Sequence, residues 1–155
     1  MGKNPTIEMK IDILCSDTEH PEVKHIKKRL VDEFKLLNIK FFTHEEDCTG
    51  GTFLFLIAYG KKLHCNLRSC YDYVLNLHAS DLPEGKGWSP HVWAIINGAT
   101  DITRTLLTVA DQIDSGDIWI KRTCSIAKDL IASEINRIIF DMEFDMIVFA
   151  IFNYA

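Results

Sequence analysis

Asn76 and His78 stand two residues apart in the run Asn76-Leu77-His78-Ala79-Ser80-Asp81-Leu82-Pro83, at the end of a strand-like segment that begins near Tyr73. Residues two apart in a strand project to the same side. A side-chain amide and an imidazole held together both offer N–H donors. Such a pair suits a reaction in which negative charge develops on a carbonyl oxygen. A second polar group comes after Val109, as Asp111-Gln112-Ile113-Asp114-Ser115-Gly116-Asp117. Gly116 allows close backbone approach, and three carboxylates share one short loop. A carboxylate beside the imidazole would orient the ring and favour its protonated form. By residue type, Asp111, Asp114 and Asp117 are all open to that role.

The elements around these groups are readable from periodicity. Residues 10–15 alternate and then turn apolar, as a first strand does. Ser16, Asp17 and Thr18 are helix N-cap candidates, and Pro21 opens a segment with Val23, Ile26, Leu30, Val31 and Phe34 on one face. A short strand is expected over 38–43. Residues 52–59 form a continuous apolar run bounded by glycines, which fits a strand covered on both faces. Further strands are expected over 73–77 and 103–109 and from 118, with a helix over 90–97 that stops at Gly98. From about residue 126 apolar residues recur at helical spacing to the end. Residues 147–152 are apolar nearly all round, which fits either core or a partner interface.

Alternating strands and helices imply an α/β fold with a mostly parallel, twisted sheet flanked by helices and a long C-terminal helix. The whole of 1–155 reads as a single domain, without repeat, linker or low-complexity tract. In such sheets ligands bind beyond the carboxyl ends of the strands, which directs attention to the residues just after Tyr59, Leu77 and Val109. The 155 residues are 47% hydrophobic and 25% charged, an ordinary globular balance. The formal net charge of -5 leaves no basic surplus for binding a nucleic-acid backbone. The five cysteines are odd in number and contain no C-x-x-C pair, and the six histidines show no ligand spacing. Neither a disulfide framework nor a metal centre is expected. With no apolar leader and no spanning segment, a cytoplasmic protein away from membranes is expected.

The series Asn76-Leu77-His78-Ala79-Ser80, Leu82-Pro83, Gly87, Pro90, Trp93, Gly98, Thr105 and Asp114-Ser115-Gly116-Asp117 resembles the signature of the folate-dependent formyltransferases. The match covers about forty residues in order, and Ala58-Tyr59-Gly60 resembles a tripeptide of the sugar N-formyltransferases. The resemblance implies a Rossmann-like formyltransferase fold and an N-formyltransferase that uses 10-formyltetrahydrofolate without a metal. It implies Asn76, His78 and Asp114 as catalytic residues. It places pterin binding on Lys61, Lys62 and Leu63, and on Ala110, Asp111, Ile113 and Asp114. Trp88, Ser89 and His91 are implied as acceptor contacts, although Ser89 also fits an N-cap for Pro90.

Several departures bear on the acceptor. Thr103 stands where the family has a glycine, and Lys86-Gly87 replaces an Arg-Gly. The first connection, Cys15-Ser16-Asp17-Thr18-Glu19-His20, has no glycine with which to cradle a phosphate. The resemblance of Ala58-Tyr59-Gly60 and of the run from Leu77 to His91 to the sugar N-formyltransferases implies a nucleotide-linked amino sugar as acceptor, with dTDP as the nucleotide. The absence of a C-terminal domain and the acidic charge weigh against a tRNA acceptor. A purine-pathway formyltransferase and a truncated folate-binding paralogue without transferase activity are the alternatives. A homodimer through the terminal helix is expected.

Overall fold

A computed structural model describes residues 8–82, 84 and 95–154. Six strands form one sheet in the order β2-β1-β3-β4-β5-β6. They are β1 (Lys10–Leu14), β2 (Asn38–Phe42), β3 (Gly51–Leu56), β4 (Tyr71–His78), β5 (Asp101–Thr108) and β6 (Ile118–Ser125). The helices are α1 (Pro21–Glu33), a single turn α2 (Cys65–Arg68) and α3 (Ala132–Tyr154). β2, β1, β3 and β4 run parallel, whereas β5 and β6 are antiparallel to their neighbours. The sheet is thus mostly parallel, as expected, with two antiparallel strands added on one side.

Side-chain alternation sorts the core onto the two faces. Ile11, Ile13, Phe53, Phe55, Leu75 and Leu106 face α1 and α3, and pack on Val23, Ile26, Leu30, Phe144 and Ile147. Leu14, Leu54, Leu56 and Val74 form the other face, with Tyr71, Cys48 and Leu63. Burial on both faces explains the unbroken apolar run of β3. Phe53 sits at the centre of an aromatic cluster, 5.3 Å from Phe55 and 5.0 Å from Tyr73 between ring centroids. Asp12 is the polar exception in β1. It is fully buried and accepts a 2.5 Å hydrogen bond from the Tyr71 hydroxyl.

α1 begins at Pro21, where the missing N–H costs nothing. His20 occupies the N-cap position without a side-chain bond, so Ser16, Asp17 and Thr18 do not cap the helix. Asp17 instead closes a local turn by accepting from the Glu19 N–H at 2.8 Å. α3 starts at Ala132, later than the apolar periodicity suggests, and the Glu134 carboxylate takes the Ile131 N–H at 3.0 Å. In its last turns Met146, Ile147, Ala150 and Ile151 are fully or almost fully buried in the core. That settles the alternative for Ile147 and Ile151 in favour of core, and Phe152 stays exposed. Most of the expected 90–97 helix lies outside the described residues. Only its end, Ile95 and Ile96, is seen, and it is helical.

Candidate functional site

The carboxyl ends of β1, β3 and β4 meet at the point where chain order reverses between β1 and β3, with β2 on one side and β3 on the other. Here the Ser16 N–H donates to the Ala58 carbonyl at 3.2 Å, and the Ser16 hydroxyl accepts from the Gly60 N–H at 2.7 Å. A cavity of about 610 Å³ opens above them. Its walls come from the first connection, the segment after β3, the end of β4, the β5 loop and α3.

Asn76 and His78 emerge on the same face, as their spacing requires. Their register partners on β5 are Leu107 and Thr105. His78 is only 6% exposed. Its Nδ1 lies 3.3 Å from Asp114 Oδ1, and Asn76 Nδ2 donates to the same oxygen at 3.3 Å. An imidazole held by a carboxylate at Nδ1 turns Nε2 to the opposite side of the ring. The sequence left three aspartates open on residue type, and geometry separates them. Asp111 is an exposed side chain paired with Arg68. Asp117 is exposed and uses its backbone carbonyl to take the Thr108 N–H at 2.8 Å. Asp114 has a side chain only 3% exposed and faces both donors.

The backbone that delivers Asp114 is unusual. Because β5 is antiparallel to β4, Thr108 pairs with Leu75, and the loop leaves towards the amino end of β4. The chain must turn back to reach Asn76 and His78. Asp114 does so with φ +55°, a region that non-glycine residues rarely adopt. Gly116 lies so close to the Thr108 carbonyl that a Cβ would stand 1.7 Å from its oxygen. The glycine is therefore required by contact. The other wall carries a second strained residue, Ala58, at φ +49°.

Lys61, Lys62, Leu63, Ala110, Ile113 and Asp114 all line the cavity. Asp111 does not, since its side chain turns to Arg68. Trp88, Ser89 and His91 lie outside the described residues. The segment carrying Lys61–Leu63 is braced from beneath by Glu45. Its carboxylate accepts from the Tyr59 hydroxyl at 2.8 Å and from the His64 N–H at 3.1 Å, and meets His64 Nδ1 at 2.9 Å. Burial opposes the charge on Glu45, but the hydrogen bonds from Tyr59 and His64 win and hold its carboxyl below the usual value. Burial and Glu45 together push the Tyr59 phenol well up, so it stays a donor.

Sequence reasoning missed the opposite wall. Ser16, His20 and Glu22 reach it from the first connection and α1, Arg104 from β5, and Asn136 and Glu143 from α3. The Arg104 Nε donates to Glu143 Oε1, and these side chains are only 2% and 1% exposed. Arg104 alternates with Ile102 and Leu106 in β5, and a charge in that apolar series was the available signal. Among the described residues, no group of three or more His, Cys, Asp or Glu is placed to hold a metal ion. No helix among them is long and apolar enough to cross a membrane.

The formyl transferase family model matches residues 12–151, so the chain belongs to that family. A methionyl-tRNA formyltransferase from Clostridium acetobutylicum is 35% identical over 97 residues, covering 62% of this chain and 31% of the relative. The chain thus spans about a third of that relative's length. Among solved structures, a methionyl-tRNA formyltransferase from Clostridium thermocellum matches with a TM-score of 0.75 at 22% identity, over 92% of this chain and 64% of the other. A protein suggested to be a sugar N-formyltransferase, from Mycobacterium tuberculosis, gives a TM-score of 0.70 at 16% identity, over 92% of this chain and 66% of the other. These structural matches define the fold.

Proposed function

We propose that this chain is an N-formyltransferase that moves the formyl group of 10-formyltetrahydrofolate to an amine, with Asn76, His78 and Asp114 as its catalytic residues. The observation that carries the reading is the contact of one Asp114 oxygen with both Asn76 and His78. Family membership supports the donor. 10-Formyltetrahydrofolate supplies the activated carbonyl, with Lys61, Lys62, Leu63, Ala110 and Ile113 as the wall for its pterin. The amine nitrogen attacks the formyl carbon, a C–N bond forms, and the bond to the folate nitrogen breaks. Asn76 and His78 donate to the formyl oxygen as it gains negative charge. The attacking nitrogen loses a proton and the departing folate nitrogen gains one. His78, oriented by Asp114, is the group suited to carry it.

For the acceptor we favour a nucleotide-linked amino sugar, with dTDP as the nucleotide and Trp88, Ser89 and His91 as candidate contacts. Support comes from Ala58-Tyr59-Gly60 and from the likeness to the Mycobacterium tuberculosis protein. A second reading, a methionyl ester on tRNA, is favoured by the named activity of the curated relatives. The test is release of tetrahydrofolate from 10-formyltetrahydrofolate with three acceptors: a dTDP-linked 4-amino sugar, methionyl-tRNA and glycinamide ribonucleotide. Turnover with the first supports the amino-sugar reading, and turnover with the second alone replaces it. If none turns over while folate binds, the transferase reading fails and a folate-binding module stands.

A further inference from the structure

The two faces of the sheet present different chemistry to the same cavity. Asn76 and His78 share the face of Val74, with Lys61–Leu63 and residues 110–114 beside them. Arg104 shares the face of Leu106, and points towards α1 and α3. There it meets Glu143 of α3 and the field of Glu22 of α1. Arg104 Nη1 and Glu143 Oε2 have no hydrogen-bond partner among the described residues. A buried guanidinium with an unused N–H is costly to leave unmet.

Glu22 also lines the cavity beside this pair. Burial, then the Glu143 charge, pushes the Glu22 carboxyl well above its ordinary value, and Arg104 counters only in part. Arg104 and Glu143 offset each other, so the group carries no surplus positive charge. It still offers an N–H donor beside carboxyl acceptors.

We propose that Glu22, Arg104 and Glu143 form an acceptor-side subsite that takes an uncharged, hydroxyl- or amide-bearing part of the acceptor and refuses a phosphate. This rests on the transferase reading of the cavity and adds the specificity of its second wall. A hydroxyl or an amide can accept from Arg104 and donate to a carboxylate in one place. An ammonium cannot accept from Arg104. A phosphate dianion has no donor for the carboxylates and would face the Glu143 charge. Half-buried Glu22 is the member nearest solvent, so it sets what enters.

The experiment uses two simple probes on the whole chain, N-acetyl-D-glucosamine and inorganic phosphate, with binding followed by ligand-observed NMR. The wild type should bind the sugar saturably at millimolar level, with no competition from phosphate. Glu22→Gln keeps a polar side chain of the same length and should hold sugar affinity within about threefold, the span of a lost weak contact. Glu22→Lys adds a cation beside Arg104 and should lose the sugar while gaining phosphate affinity about tenfold. Thermal melting of each variant guards against misfolding. Phosphate competing in the wild type, a Gln variant that loses the sugar while folded, or absent saturable sugar binding would each overturn the proposal. Sugar binding as expected without formyl transfer would sink the transferase reading alone. Formyl transfer without the Glu22 effects would sink this subsite alone.

Discussion

His78 Nδ1 and Asp114 Oδ1 stand 3.3 Å apart, though His78 closes β4 and Asp114 arrives from a loop that first leaves in the opposite direction. The left-handed backbone at Asp114, φ +55°, belongs to the turn that makes this meeting possible. Strain of this kind costs about 1–3 kcal/mol and persists where surrounding contacts enforce it. Here the enforcing contacts are the Asn76 amide, the imidazole and the packed Gly116.

Asp114→Asn should therefore preserve the fold while depriving His78 of its carboxylate. Formyl transfer should fall by about 100-fold or more, and Asn76→Ala, which removes one donor to the formyl oxygen, by about 100- to 1000-fold. Folate affinity, measured by fluorescence titration with 5-formyltetrahydrofolate, should change little in Asn76→Ala. A variant that retains turnover removes its residue from the proposed machinery.

Gly116→Ala tests how the loop is delivered. A Cβ at 1.7 Å from the Thr108 oxygen cannot be accommodated by a side-chain shift, because the neighbour is backbone. The Thr108–Asp117 hydrogen bond must open, which dislodges Asp114 as well. We expect a stability loss of about 1–3 kcal/mol in denaturant unfolding, with transfer reduced as far as in Asp114→Asn. Near wild-type stability and turnover would show the loop to be tolerant of displacement.

Local signals made part of this site legible in the sequence, and the rest depends on long-range geometry. Asn76 and His78 obey a two-residue strand period, so their common face was legible. The choice of Asp114 over Asp111 and Asp117 was carried by resemblance, because it depends on a chain reversal after an antiparallel strand. That strand direction has no local signature: residues 103–109 look alike run either way. The Arg104–Glu143 pair was invisible for a similar reason. It joins β5 to α3 across the core, and neither member alone points to the other. The last turns of α3 needed the packing of α1 and the sheet to be placed inside.

Glu45 gives a pH-dependent prediction with a definite sign. Its folded carboxyl titrates below the ordinary value of 4.5, so the ionised form stabilises the native state. That contribution is fully present above the unfolded value and is lost as pH falls through the lowered folded value. Thermal melts from pH 7 down to about pH 3 should show the wild type losing its advantage over Glu45→Gln in the acid range. Parallel melting curves would mean that the bonds from Tyr59 and His64 do not favour the charged carboxylate.

The buried Arg104–Glu143 pair should behave asymmetrically under single and double substitution. Removing one partner leaves the other charged, desolvated and unmet, which costs about 3–5 kcal/mol in such pairs. Arg104→Met alone should therefore destabilise strongly, more than Glu143→Gln, which keeps a polar acceptor for the guanidinium. Arg104→Met with Glu143→Met replaces both charges by apolar groups of similar length. It should recover most of the loss, because the ion pair's attraction is largely offset by its own desolvation. A double-mutant cycle from urea unfolding measures the coupling directly. If the pair serves only stability, the double variant will also retain N-acetyl-D-glucosamine binding. If it serves the acceptor wall, stability will return while sugar binding stays lost.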